Sequence, residues 1–208
     1  RLSIRDGVPD LARALRDPQV DVRVVAAAAL WRLPDPAAVP ALVELLSDSD
    51  ATARQWGALA LGVTRDSRAT QPLIGLLRDS AEDVRLDSVR SLGRIGDPVA
   101  LAPLIAVVND ENHTQAERLE AINAIASLEG PDKVNALVRM LELRSTELRL
   151  QVIGALAQVG DALVIPALRR LASGPGSAAV APAVNKAIRQ IEERGREQAP
   201  APGPAAAP

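Results

Sequence analysis

Apolar and polar positions alternate along this chain in a pattern that recurs about every 30 residues, a period typical of stacked repeats. Segment 79–108, DSAEDVRLDSVRSLGRIGDPVALAPLIAVV, shows the unit: two amphipathic helical patterns joined by a Gly-Asp-Pro turn. Aligned on the arginine of its Val-Arg pair, the pattern returns at five positions: Arg23, Arg54, Arg85, Arg118 and Arg149. Because one such unit cannot bury its apolar face alone, the pattern predicts an all-α solenoid of about five stacked repeats.

Each unit predicts two helices and the turn between them. In the first helix, apolar or small residues fall one, four, seven and eight places after the arginine, which is one helical face. Leu86, Val89, Leu92 and Gly93 are the example in the third repeat. The small residue of this set would let a neighbouring helix come close. Aspartates twelve places after the arginine are suited to cap the second helix; they are Asp35, Asp66, Asp97 and Asp161.

The predicted organisation is one domain, residues 1–194, followed by a disordered Pro/Ala-rich tail, residues 195–208. The repeats are expected at 17–47, 48–77, 78–108, 109–141 and 142–171. Residues 8–15 match the second helix of a partial N-terminal repeat, whose first helix would end within residues 1–4. A helix at about 178–194 would cap the other end. We therefore expect this chain to be one domain of a larger protein.

The composition of the chain limits the chemical functions that it can have. The net charge is −2 and the pI about 5.5, so no general field attracts nucleic acid or an anionic membrane. Cysteine is absent, which excludes disulfides and thiolate chemistry. No apolar run approaches the roughly 18 residues of a transmembrane helix. We expect no cofactor, no nucleic-acid partner and no membrane insertion, and a cytoplasmic location.

The recurring motif resembles the short bacterial type of HEAT repeat, named after the phycobilisome lyases. Repeat three carries nearly all of it: Asp83, Val84, Arg85, Leu92, Gly93, Ile95, Gly96, Asp97, Pro98, Pro103 and Leu104. The resemblance covers about residues 5–172 and implies a right-handed superhelix with the second helices on its concave side. It also implies inter-repeat hydrogen bonds that join acids to the arginines, here Asp21, Asp83 or Glu147 with Arg23, Arg54, Arg85 and Arg149.

That family consists mostly of scaffolds, with a few lyases, hydroxylases and DNA glycosylases, so the fold alone does not give function. A di-iron hydroxylase needs several histidines, and His113 is the one histidine of the sequence. We expect His113 to be a solvated loop residue. A glycosylase needs a basic surface, which the balanced charge argues against. The sequence favours a non-catalytic protein-interaction scaffold, and the alternative is a subunit of a bilin-lyase-type enzyme.

Candidate binding residues are those that depart from their counterparts in other repeats. Two, five and nine places after the arginine, positions expected to face outward, repeats three to five are mostly polar. Repeat two instead has Trp56, Leu59 and Val63, and repeat one has Val25. These residues predict an apolar patch that contacts a protein partner or an adjacent domain. The alternative is that Trp56 folds over the neighbouring helix as part of the core. Trp31 stands where other copies have Gly or Ala, and we expect it to fill a gap beside the N-terminal repeat.

A second candidate surface follows the second helices. One register position reads Glu44, Gly75, Ala106, Arg139 and Arg170, from acidic through small to basic. Arg139 and Arg170 would suit a peptide that carries acidic groups.

Overall fold

The computed structural model describes residues 7–174 and 177–198, and within them all regular structure is helical. The expected helix end at residues 1–4 lies outside this part of the chain, and so does the expected tail (residues 195–208) from residue 199 onward. The α-helices are α1 (Val8–Ala14), α2 (Val20–Arg32), α3 (Val39–Leu45), α4 (Ala51–Thr64), α5 (Thr70–Gly75), α6 (Glu82–Ile95), α7 (Leu101–Asn109), α8 (Gln115–Ser127), α9 (Asp132–Met140), α10 (Thr146–Val159), α11 (Ile165–Ser173) and α12 (Ala181–Gln198). Each expected repeat therefore contains its two helices, and the fold class is confirmed.

The predicted aspartate caps are present, but they cap a short 3-10 turn that precedes the second helix in repeats one, two, three and five. Asp35 accepts the backbone N–H of Ala37 at 2.8 Å, and Asp97 accepts that of Val99 at 2.9 Å. Asp66 and Asp161 make the same bond, each to the residue two places on. The side chain thereby satisfies a backbone donor that the helix leaves unpaired.

The chain divides into two compact units, residues 1–133 and 134–208. In the first unit the first helices α2, α4, α6 and α8 pack in succession, and α3, α5 and α7 each pack on the helix that follows. In the second unit α12 packs on both α10 and α11. The expected boundary between a domain and a tail at residue 194 stays a prediction, although α12 itself continues to Gln198.

Small residues bring the first helices together, as the sequence predicts. A Cβ on Gly62 would lie 2.9 Å from the Cα of Ser91, and one on Gly93 would lie 2.8 Å from the Cα of Ala124. Both distances are shorter than real contacts, so only glycine fits there. The core beneath is aliphatic, and the register leucines of the second helices are fully buried: Leu42, Leu73, Leu104, Leu137 and Leu168.

Helix α12 covers the end of the second unit. Val184, Ala187 and Ile191 are buried on one side of it. The Arg194 guanidinium donates to the carbonyl oxygens of Ala157, Gln158 and Gly160, near the C-terminus of α10. A cation there satisfies carbonyls that have no partner within the helix.

Candidate functional site

The register arginines join one repeat to the next. Arg54 Nε donates to Asp79 Oδ2 at 2.7 Å, and Arg23 Nε donates to Asp48 Oδ2 at 2.6 Å. Arg85 Nε donates to Glu117 Oε1 at 2.8 Å. The expected ladder therefore exists in the first unit, but its acids are Asp48, Asp79 and Glu117. The expectation of Asp21 and Asp83 was wrong, because the acid comes from the loop or the first turn of the next repeat.

These pairs are electrostatically matched. The hydrogen bond from Arg54 lowers the pKa of Asp79, although partial burial opposes the shift. Arg23 lowers the pKa of Asp48 in the same way. Both carboxylates also accept a backbone N–H two residues on, Asp79 from Ala81 and Asp48 from Asp50. The carboxylates are therefore held in the charged form and serve as joints between repeats.

Repeat four departs from this pattern around a fully buried carboxylate, Glu117. Its oxygens accept from Arg85 Nε, from the backbone N–H of Thr114 at 3.1 Å, and bond His113 Nδ1 at 2.7 Å. The Thr114 hydroxyl accepts the Glu117 N–H in return, which completes a capping box. The expectation that His113 is solvated was wrong: its side chain is only 11% exposed, because it is bonded to Glu117. His113 lies in a two-residue insertion of repeat four, since Arg118 follows Arg85 by 33 positions where the other register arginines are 31 apart.

The two tryptophans lie against each other between the first helices of repeats one and two. Their ring centroids are 6.0 Å apart and the rings meet edge to face at 77°, a favoured aromatic geometry. Trp31 is 37% exposed, and the ring it meets belongs to the following repeat. Its expected place in a gap beside the N-terminal repeat stays a prediction. Leu59 and Val63 lie on the same helix as Trp56, and all three are half-buried.

The outward direction predicted for the position two places after the arginine was wrong for repeat three. Asp87, the counterpart of Trp56, is 6% exposed and accepts Gln55 Nε2 of the preceding repeat at 2.7 Å. Arg90 also donates to it, at 3.0 Å. In repeat three this position faces the preceding repeat, and in repeat two Trp56 likewise meets Trp31 of the preceding repeat. Val25, in the first complete repeat, is 68% exposed.

Val25 also lines an apolar hollow of about 300 Å³ with Leu11, Ala14, Val22 and Ala26. The five- and nine-place positions do face outward in repeats three to five, where Arg90, Asn123, Gly154, Arg94, Ser127 and Gln158 are exposed.

The charged residues of the second candidate surface differ in whether another side chain already pairs with them or they are exposed. In the first unit, Glu44 already holds Arg16 through two hydrogen bonds of 2.8 Å, which lower the pKa of that carboxyl. In the second unit, Arg139 on α9 and Arg170 on α11 are both exposed. Arg170 also lines a pocket with Arg149 and Gly174 that the repeat pattern did not single out. The sequence does contain a signal for it, because Gly174 stands 25 residues after Arg149, where the same spacing after Arg23 and Arg54 gives Asp48 and Asp79.

Within residues 7–174 and 177–198, no group of three or more His, Asp or Glu side chains could hold a metal ion. None of the helices described there is long and apolar enough to cross a bilayer.

Stacked helix pairs with recurring inter-repeat joints define an all-α repeat protein of the HEAT and armadillo class, a fold suited to protein interaction. Models of HEAT repeats match residues 8–88, 50–117 and 113–189, and the chain belongs to the HEAT-repeat family. Among proteins with curated descriptions, none matches this sequence.

Solved structures with the same fold are distant in sequence. A designed armadillo repeat protein in complex with the peptide (KR)4 is 19% identical, with a TM-score of 0.61, covering 88% of this chain and 99% of its own. Another designed armadillo repeat protein is 20% identical, with a TM-score of 0.59 and the same coverage. The complex of CpcE and CpcF of phycocyanin lyase from Nostoc sp. PCC7120 is 22% identical, with a TM-score of 0.53, covering 74% of this chain and 99% of that one.

Proposed function

We propose that this chain is a non-catalytic scaffold that binds a protein partner through the surface formed by Trp31, Trp56, Leu59 and Val63, here called the tryptophan surface. The observation that carries the proposal is the edge-to-face pair of Trp31 and Trp56, which is partly exposed. The counterparts of Trp56, Leu59 and Val63 in repeats three to five are mostly polar. A tryptophan can bury about 150–250 Å² on binding, and residues of this type dominate interface energies.

The arginine–acid pairs between repeats are not candidates for the partner-binding surface. Each register arginine of repeats one to three is bonded on one side to its own loop and on the other to the next repeat. Groups whose charges are already satisfied in this way have a structural role. The tryptophan surface, by contrast, offers apolar area that the fold leaves partly uncovered.

The designed armadillo neighbour that carries a bound peptide supports the general mode of action, since a stack of helix pairs presents a long face to an extended chain. The lyase-type alternative is supported by similarity of fold to a structure that is 22% identical. No side chain among the described residues adds support for lyase activity.

The experiment compares the full chain with Trp56→Gln and with a matched control, Leu163→Gln. Leu163 is a large apolar residue, 85% exposed, in the other unit. Partners are captured from the source organism, identified, purified and titrated against each variant. We expect Trp56→Gln to weaken binding at least about tenfold and Leu163→Gln to leave it unchanged.

Circular dichroism and urea unfolding of the same variants separate binding from folding. If Trp56 is interface, Trp56→Gln changes the free energy of unfolding little. A loss of several kcal/mol, the size of a core truncation, would assign Trp56 to the core and contradict the proposal. Equal capture by all variants would contradict it as well.

A further inference from the structure

The Nε atom of the register arginine has an acceptor in each of the first four repeats. It is a carboxylate for Arg23, Arg54 and Arg85. For Arg118 it is the carbonyl oxygen of Val108, at 2.8 Å. In repeat five the Nε of Arg149 is buried and has no hydrogen-bond partner among the described residues. A buried N–H without an acceptor is rare in native proteins and calls for one.

Repeat five also lacks the acid that would fill this role. In the first two joints the carboxylate stands 25 residues after the arginine, in Asp48 and Asp79. The residue at that spacing from Arg149 is Gly174, which ends α11. Its backbone, with φ −77° and ψ 167°, lies in the same region as that of Asp79, with φ −59° and ψ 149°. The backbone of the joint is therefore in place and its carboxylate is missing.

A pocket of about 320 Å³ occupies this position in the second unit. Arg149, Arg170 and Gly174 line it, and Leu141 and Leu171 supply apolar walls. Glu142 also lines it and is exposed, and no ion pair of the described residues joins Glu142 to either arginine. Two cations against one acid leave the pocket net positive, and apolar walls strengthen the attraction for an anion.

We propose that this pocket binds a carboxylate side chain of a partner polypeptide, which takes the place that Asp48 and Asp79 hold in the earlier joints. The carboxylate accepts from the Arg149 guanidinium once that side chain turns toward it, and Arg170 adds a second positive charge. Planar, bidentate recognition of a carboxylate is the interaction to which arginine is best suited. The inference rests on the proposed function and gives the chemistry of one contact with the partner.

A polypeptide fits better than a free carboxylic acid because the pocket combines cations with leucine walls. In the earlier joints, the acid arrives on a segment that also buries leucines, such as Leu76 and Leu77 before Asp79. A partner segment with an acid next to apolar residues would reproduce both features.

The first test uses a peptide of sequence GLLRDSA, that of residues 75–81, with blocked termini, and a control peptide with Asn in place of Asp. Titration into the full chain by calorimetry should show the Asp peptide binding at least about tenfold more tightly, the range expected when a charged hydrogen bond is lost. Equal affinities, or no binding of the Asp peptide, would overturn the proposal. Succinate binding as tightly as the peptide would assign the pocket to small carboxylates instead and overturn it too.

The second test restores the missing acid within the chain. A Cβ at position 174 would meet the carbonyl oxygen of Arg170 at 3.5 Å, an ordinary contact, so Gly174→Asp fits. We expect Gly174→Asp to raise the melting temperature and to weaken binding of the Asp peptide at least about tenfold. The matched control Gly174→Asn has the same shape without the charge and should preserve binding.

Arg149→Met should abolish the preference for the Asp peptide, and Arg189→Ala, which removes an exposed arginine of α12 outside the pocket, should leave it intact. Unchanged binding in Gly174→Asp and Arg149→Met would contradict the proposal. The tryptophan surface is tested separately by Trp56→Gln, so failure of one site is distinguishable from failure of the other.

Discussion

Arg54 and Asp79 are joined by two parallel hydrogen bonds, Nε to Oδ2 at 2.7 Å and Nη2 to Oδ1 at 2.8 Å. The remaining nitrogen, Nη1, donates to the carbonyl oxygen of Asp48 at 2.8 Å. One guanidinium thus ties the loop before its own helix to the loop that opens the next repeat. The same arrangement joins Arg23 to Asp48 and to the carbonyl oxygen of Asp17.

Loss of a register arginine should destabilise the chain by an amount set by the burial of its acid. Arg85→Ala leaves the fully buried Glu117 without its guanidinium, and breaking a buried pair in this way costs about 3–5 kcal/mol. Arg54→Ala should cost less, about 1–3 kcal/mol, because Asp79 lies in a loop where water can replace the partner. Urea unfolding measures both.

The control is Arg139→Ala, which removes an exposed arginine and should change stability by less than about 0.5 kcal/mol. Equal losses for all three variants would show that burial of the acid does not set the cost.

Low pH should weaken the arginine–aspartate pairs that join the repeats. Because Arg54 and Arg23 lower the pKa values of Asp79 and Asp48 below the ordinary value of 3.8, both pairs contribute stability above that pH. The contribution is lost as the pH falls through the lowered pKa values. The double variant Asp48→Asn, Asp79→Asn should therefore be less stable at pH 7 and show a shallower loss of stability below about pH 4. Urea titrations between pH 7 and pH 2 test this, and parallel curves for the two proteins would contradict it.

The closely packed glycines should not tolerate a methyl group. Gly93→Ala places a Cβ 2.8 Å from the Cα and 3.0 Å from the Cβ of Ala124, so α6 and α8 must move apart, at a cost of about 1–3 kcal/mol. Gly154→Ala is the matched control, since a Cβ at Gly154 of α10 has nothing within 4 Å. That change should stabilise the chain by about 0.5–1 kcal/mol, because alanine favours the helix. Thermal unfolding of both variants gives the comparison, and the same sign for both would contradict it.

Amide exchange in the first unit should be fastest at α1. In α1 only Val8 is buried, whereas in α6 seven residues are buried and α4 and α8 pack on either side of it. Since stacked repeats are held by their neighbours, an outer helix opens before an inner one. Hydrogen exchange read by mass spectrometry should show slowest exchange in α4 and α6. Uniform protection, or slowest exchange in α1, would contradict this.

Local regularities made most of the fold predictable. Three features recur in several repeats: the register arginines, the aspartate caps and the leucines of the second helices. A prediction made for one repeat could therefore be compared with the same positions in the others. The 3-10 turns were not predicted, because the cap signal is the same for a 3-10 turn and an α-helix.

Contacts between repeats were harder to predict. The outward direction assigned to the position of Asp87 failed because Gln55, one repeat earlier, supplies a buried hydrogen bond that no periodicity reveals. The burial of His113 was missed for a related reason: the insertion in repeat four is unique, so no second copy could indicate its conformation. The pocket beside Arg149 had a sequence signal in Gly174, but its meaning depended on knowing that the acid of each joint comes from the following repeat.

The constant spacing of the first two joints has a consequence for protein engineering. Block 48–78 carries both Asp48 and Arg54, so a second copy spliced in after Arg78 would place its own aspartate 25 residues beyond the first Arg54, the spacing of the native pairs. The copied Arg54 would then meet the original Asp79 at the same interval. The number of repeats could therefore be increased at this point of the array. Repeat four, whose joint uses a glutamate at a different interval, offers no such splice point.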